Sequence, residues 1–160
     1  MKYANIPLPA GATHNAPVLI VVHAMGEYID TDGRDYFALD YLKKIGLSAH
    51  IFITPSGVAI KSREFTEGAH HVKGHNTNTL GIEFLVPGLH TYESFLEAIN
   101  TQYVTDAAFK TGLEVVREYL NRMPNTPKPR EVIRTHAELN PGRKFDPGKG
   151  FPYNHFLNAI

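Results

Sequence analysis

Two apolar runs constrain the fold of this chain most: Val18-Leu19-Ile20-Val21-Val22, and Leu80-Gly81-Ile82-Glu83-Phe84-Leu85-Val86, which only Glu83 interrupts with a charge. Neither shows the apolar–polar alternation of a half-exposed strand, so each reads as a strand with both faces covered. Both are far too short to cross a bilayer. Covering both faces of a sheet takes helices, and the chain supplies candidates. Tyr36, Phe37, Leu39, Tyr41, Leu42 and Ile45 recur at helical spacing before Gly46, so residues 35–45 are expected to form a helix with a glycine stop. Residues 91–100 have the pattern of a short amphipathic helix. Thr105-Asp106 reads as the cap of a longer one over 107–123, with Phe109, Leu113, Val116 and Leu120 on a core stripe. Further strands are expected at 50–53, at 58–60 after the Pro55-Ser56-Gly57 turn, and at 131–133. Residues 1–17 read as an irregular lead-in, 61–78 as a polar loop, 124–129 as a rigid loop and 151–160 as a closing helix or coil. Strands alternating with helices, with no repeat, linker or low-complexity tract, indicate a single α/β domain over residues 1–160.

Composition narrows the chemistry. Sixteen basic residues balance sixteen acidic ones, so no global field steers the chain to nucleic acid or to an anionic membrane. There is no cysteine, which excludes disulfides and thiolate ligands and leaves histidine and carboxylate for any metal. Nine histidines make that a rich supply. The residues after Lys2 lack the apolar stretch of a secretory signal, so a cytoplasmic protein is expected, with no membrane insertion.

Chemistry-bearing residues fall at three places. The first apolar run delivers His23 at its end, and Ala24-Met25-Gly26 is expected to open a loop there. Glu83 sits inside the second run, where a carboxylate costs several kcal/mol unless it is paired or close to a metal. It reads either as an ion pair with an arginine such as Arg63 or Arg134, or as a general base with a raised pKa. The third place is Arg134-Thr135-His136-Ala137-Glu138-Leu139-Asn140-Pro141-Gly142-Arg143-Lys144-Phe145-Asp146-Pro147-Gly148. Its Asn-Pro-Gly and Asp-Pro-Gly turn formers make it a loop leaving a strand, and it carries an imidazole, an ammonium and a carboxylate.

Taken together, this pattern resembles the zinc-dependent N-acetylmuramoyl-L-alanine amidases of the type 2 amidase family. These share their fold with peptidoglycan recognition proteins and with the phage lysozyme that is in fact an amidase. The resemblance is most specific from His136 through Gly148, and Ser48-Ala49-His50 and Gly74-His75-Asn76-Thr77-Asn78-Thr79-Leu80-Gly81-Ile82-Glu83 add to it. It implies a central mixed β-sheet flanked by helices, and Zn²⁺ held by His23, His136 and Asp146. It further implies Glu83 and Lys144 as catalytic residues and His71 and Asn76 near the substrate cleft. Some branches carry a tyrosine before the second-strand histidine, where this chain has Ala49. Others use a cysteine as third ligand, where this chain has Asp146.

The chemistry suits the residues. Two imidazoles and one carboxylate leave zinc with net positive charge and an open position for water, whose pKa then falls to roughly 7. Glu83 would move the proton to the leaving nitrogen, and Lys144 would help stabilise the oxyanion. The implied partner is peptidoglycan or a muropeptide, the implied form a monomer. The setting expected first is a phage-type endolysin, released to the periplasm through a holin; the alternative is a cytoplasmic enzyme that recycles anhydro-muropeptides. A non-catalytic peptidoglycan-binding module would lack part of the ligand set. A nuclease built on His70, His71, His75 and Asn76 is disfavoured by the balanced charge.

Overall fold

A computed structural model describes residues 2–125 and 127–160 of the chain. Its elements in order are β1 (Ala4–Asn5), β2 (Leu19–Thr31), β3 (Arg34–Phe37), α1 (Ala38–Ile45), β4 (Ile51–Ile53), β5 (Ala59–Lys61) and β6 (Thr79–His90). They are followed by α2 (Tyr92–Ala98), α3 (Asp106–Arg122), α4 (Pro129–Val132), β7 (Ile133–Thr135), α5 (His136–Leu139) and α6 (Tyr153–Ala159). The strands form one mixed sheet in the order β1-β5-β4-β6-β2-β3, with β7 also pairing β2. The α/β class and the mixed sheet expected from the sequence are what the chain adopts.

The period-2 pleat sorts the apolar runs onto two faces. Ile20, Val22 and Ala24 of β2, Ile51 and Ile53 of β4, and Leu80, Ile82, Phe84 and Val86 of β6 point to one side. There they pack with Val115, Val116, Tyr119 and Leu120 of α3 and Phe156 of α6. Leu85 and Phe52 point to the other side and pack with Leu39 and Leu42 of α1. The second cluster is the smaller, so this face of the sheet is covered only in part. His23 and Glu83 lie on it, because they alternate with Val22 and Ala24, and with Ile82 and Phe84.

Four local expectations are corrected. Residues 35–37 belong to a strand, and α1 starts at Ala38. Asp32 and Gly33, at φ 53° and 69°, close a two-residue hairpin between β2 and β3. An Asp-Gly pair is a strong hairpin signal, but the helical spacing of Tyr36 and Phe37 masked it. For the same reason β2 does not end at His23: paired with β3 through Tyr28–Thr31, it runs on to Thr31. Glu131 and Val132 form the helical turn α4 under Pro129, so the strand β7 starts only at Ile133. The lead-in is not wholly irregular, since Ala4 and Asn5 pair parallel with Ile60 and Lys61. Of the loop expected at 124–129, Thr126 lies outside the described residues.

The Gly46 stop and the Thr105 cap agree with the sequence. Gly46 ends α1 in the left-handed region at φ 70°. Thr91 and Thr105 cap α2 and α3 by accepting from the backbone N–H groups of Ser94 and Ala108.

Candidate active site

Strand register builds the site. His23 on β2 lies directly opposite Glu83 on β6, and Val22 lies opposite Thr135 on β7. Among the described residues, no strand pairs that outer edge of β2 between Val22, the last partner of β7, and Tyr28, the first partner of β3. Into this gap the chain turns from β7 to α5. Thr135 accepts from Glu138 N–H at 3.1 Å while its own N–H donates to Glu138 Oε2 at 2.6 Å. This capping box switches strand to helix within one residue and delivers His136 beside His23.

Asp146 arrives from the loop that follows. Its backbone carbonyl accepts from Ala137 N–H at 3.0 Å. Beyond it, Tyr103 OH donates to the Pro147 carbonyl at 2.9 Å and Gly150 N–H to the Ile99 carbonyl at 2.7 Å. Gly148 has φ +73° and leaves no room for a Cβ against the Ile99 carbonyl, so glycine is required by conformation and by contact.

These supports bring three lone-pair donors together. His23 Nδ1 lies 2.9 Å from His136 Nδ1 and 3.2 Å from Asp146 Oδ2, and His136 Nδ1 lies 3.0 Å from Asp146 Oδ2. Ligands about 2.0–2.1 Å from a tetrahedral zinc stand about 3.3 Å apart, so the three atoms match one face of such a tetrahedron. All three residues are buried, and three facing lone pairs without a cation or protons between them would repel. The donor set fits zinc. Among the described residues, this is also where three histidine or carboxylate ligand atoms converge within 4.8 Å; the His70, His71, His75 cluster of the polar loop does not do so.

Glu83 lies at the floor of the same cleft. Its Oε1 is 3.9 Å from His23 Nδ1, and its buried Oε2 has no hydrogen-bond partner among the described residues. The arginine partners considered from sequence are engaged elsewhere. Arg63 donates to the carbonyls of Leu8, Ala12 and Gly68, and Arg134 to those of Arg130, Glu131 and Ile133. Burial pushes the Glu83 carboxyl well above the ordinary carboxylate range; the Asp146 charge adds to this and Lys144 opposes it. Burial would also raise Asp146, but its close contacts with the His136 and His23 imidazoles overcome it and hold that group below its usual range. Two neighbouring carboxyls are thus pushed apart, one toward proton uptake and one toward permanent charge. Lys144, half-buried, lines the cleft with them.

The other expected site residues take up different posts. His71 lines the cleft and also touches a candidate ligand, its Nδ1 lying 2.9 Å from His23 Nε2. Asn76 turns its Oδ1 to the N–H groups of His71 and Val72, at 3.1 and 2.9 Å, and so braces the loop that carries His71. It also lines a shallow depression with Lys73 and Arg143. The sequence reading did not single out the rim of the cleft, where Tyr92 and Phe145 are largely exposed. Phe145 lies between Lys144 and Asp146, a placement that could have flagged it; Tyr92 carries no such signal.

His50 shows the unexceptional fate of a buried histidine. Its Nδ1 accepts from Gly81 N–H at 3.0 Å and its Nε2 donates to the Glu67 carbonyl at 2.8 Å. Burial lowers its pKa to about 4, and burial also lowers those of His23 and His71. A histidine whose folded pKa lies below its unfolded value of about 6.5 binds its proton more readily in the unfolded chain. Stability is then full above the unfolded pKa and is lost as pH falls toward the folded one. The metal-free protein is expected to lose on the order of 3 kcal/mol between pH 6.5 and 4 through His50 alone. Urea midpoints across that range check this, and a flat profile would contradict it.

The profile of the N-acetylmuramoyl-L-alanine amidase family matches residues 13–149. The 1,6-anhydro-N-acetylmuramyl-L-alanine amidase AmpD of Haemophilus influenzae is 28% identical over 140 residues, covering 82% of this chain and 67% of that protein. Among solved structures, a selenomethionine derivative of AmpD superposes with a TM-score of 0.74 at 22% identity, covering 99% of this chain and 94% of that one. The amidase LysC from Clostridium intestinale superposes at 0.72 with 18% identity, covering 99% and 97%. With most of its length matched by the family profile, and with the fold of these amidases, the chain belongs to the type 2 N-acetylmuramoyl-L-alanine amidase family of enzymes.

Proposed function

We propose that this amidase cuts the bond between the lactyl group of N-acetylmuramic acid and L-alanine in soluble anhydro-muropeptides, using one zinc ion held by His23, His136 and Asp146. The observation that carries this reading is the convergence of His23 Nδ1, His136 Nδ1 and Asp146 Oδ2 beside the buried Glu83 carboxyl, whose Oε2 has no hydrogen-bond partner among the described residues. Bound zinc supplies Lewis acidity toward the amide carbonyl and toward water. Glu83, biased toward taking up a proton, accepts one from the attacking water and returns it to the leaving nitrogen. Lys144, at the cleft wall, places a positive charge near the oxygen that becomes anionic. A glycosidase would need two free carboxyls flanking a sugar. Here Asp146 is engaged with both histidines, which leaves Glu83 alone.

Substrate choice rests on the relatives. The Haemophilus protein is named for a 1,6-anhydro-muramyl substrate, while LysC, at 18% identity, speaks for the fold. The recycling role therefore takes precedence over the endolysin role that the sequence reading placed first, and a cytoplasmic location goes with it. No helix among the described residues is long and apolar enough to cross a membrane. Initial rates on a soluble 1,6-anhydro-muropeptide and on intact sacculi, at matched bond concentration, test the choice. Faster cleavage of the soluble substrate is expected. Faster cleavage of sacculi would return the endolysin reading, and binding of sacculi without cleavage of either substrate would indicate a recognition module.

A further inference from the structure

We propose that Thr79 and His71 are positioning residues that fix the tautomer of His23, keeping its proton on Nε2 and leaving Nδ1 open to the metal. The proposal rests on the reading of His23 as a zinc ligand. A chain of three contacts carries it. Thr79 Oγ1 lies 2.7 Å from the His75 carbonyl oxygen and 3.0 Å from His71 Nε2, and His71 Nδ1 lies 2.9 Å from His23 Nε2.

Each link allows one direction. The His75 carbonyl can only accept, so the single Thr79 hydroxyl proton points to it. Thr79 Oγ1 then faces His71 with a lone pair and must receive the proton on His71 Nε2. A neutral His71 protonated on Nε2 has a bare Nδ1, which must accept from His23 Nε2–H. His23, neutral in turn, carries no proton on Nδ1, the atom that meets His136 and Asp146. The reverse order would set the Thr79 oxygen and the His75 carbonyl 2.7 Å apart with no proton between them. It would also place a proton on the nitrogen that the metal needs. The His75 peptide carbonyl therefore determines which nitrogen of His23 is free, by way of two side chains.

The fold holds the relay in place. Thr79 is fully buried at the start of β6. The His71 ring lies over Gly81, where a Cβ would stand 2.5 Å from Nδ1, and meets the rings of His23 and His50 edge-on at centroid distances of 5.0 and 5.7 Å. Gly81 is on the same face of β6 as Glu83, two residues on, so the missing side chain makes room for the ring on the cleft side of the sheet. Asn76 Oδ1 fixes the backbone of His71 by accepting from its N–H.

The test uses three relay variants, one ligand variant and two readouts. Thr79→Val keeps the shape of the side chain and removes both relay bonds, Thr79→Ser restores the hydroxyl, and Gly81→Ala displaces the His71 ring. Long-range ¹H–¹⁵N spectra of metal-free wild type should show His23 protonated on Nε2 and bare on Nδ1. Zinc affinity, measured by competition with a chromophoric chelator, should fall about 10- to 100-fold in Thr79→Val and in Gly81→Ala. It should stay within about threefold of wild type in Thr79→Ser. A wild-type His23 protonated on Nδ1 would overturn the proposal, as would Thr79→Val with wild-type zinc affinity. Retention of zinc by His23→Ala would refute the ligand reading instead, while the wild-type spectrum would still report on the relay.

Discussion

Replacing Glu83 with glutamine is expected to lower turnover by at least about 10²-fold while zinc stays bound, because the amide keeps the shape of the side chain and loses its ability to carry a proton. Stability should move in the other direction. A carboxyl whose folded pKa is raised above its unfolded value stabilises the fold fully only below the unfolded pKa, and that contribution is lost as pH rises toward the folded one. Burial raises Glu83 in this way, and its Oε2 has no hydrogen-bond partner among the described residues. At neutral pH, metal-free Glu83→Gln should therefore melt at or above the temperature of wild type. An ion-paired structural glutamate would give the opposite pattern, with stability lost and turnover kept. Melts and kinetics on one preparation separate the two.

Removing the metal should have the larger effect on both activity and stability. Replacing His136 with alanine takes away one of three converging donors, and dialysis against a strong chelator takes away the zinc they are proposed to hold. Either is expected to reduce hydrolysis to background, and metal analysis of untreated protein should find close to one zinc per chain. Zinc that binds only the folded state stabilises it by about 4 kcal/mol when its free concentration is a thousandfold above Kd. The melting temperature of wild type should therefore climb with added zinc and that of His136→Ala should not. Full zinc content in His136→Ala would remove that residue from the ligand set.

How much of this was legible beforehand depended on how local the physics was. The buried strands were readable because a strand covered on both faces must be apolar throughout, and Glu83 stood out by breaking that rule. The Gly46 stop and the Thr105 cap were readable because each acts within a few residues. The β2–β3 hairpin was not, since the aromatic residues of β3 happen to fall at helical spacing with those of α1, and only tertiary pairing decides between the two. The grouping of His23, His136 and Asp146 came from the family resemblance. No spacing rule brings together residues 113 and 10 positions apart; strand register and the capping box at Thr135 do. Thr79 and Gly81 were invisible as site residues for a related reason. A threonine opening a strand and a glycine within one are ordinary, and their relation to His71 exists only once the polar loop has folded back over β6.

The account turns on which bond is cut, and one measurement addresses that directly. A purified 1,6-anhydro-muropeptide incubated with the enzyme should yield two products by mass spectrometry. One is a free stem peptide with a new L-alanine amino terminus, and the other an intact anhydro-N-acetylmuramic acid carrying a free lactyl carboxyl. Both should be absent with Glu83→Gln and with the chelated enzyme. New reducing sugar ends without new amino termini, or the same products at the same rate after zinc removal, would contradict it.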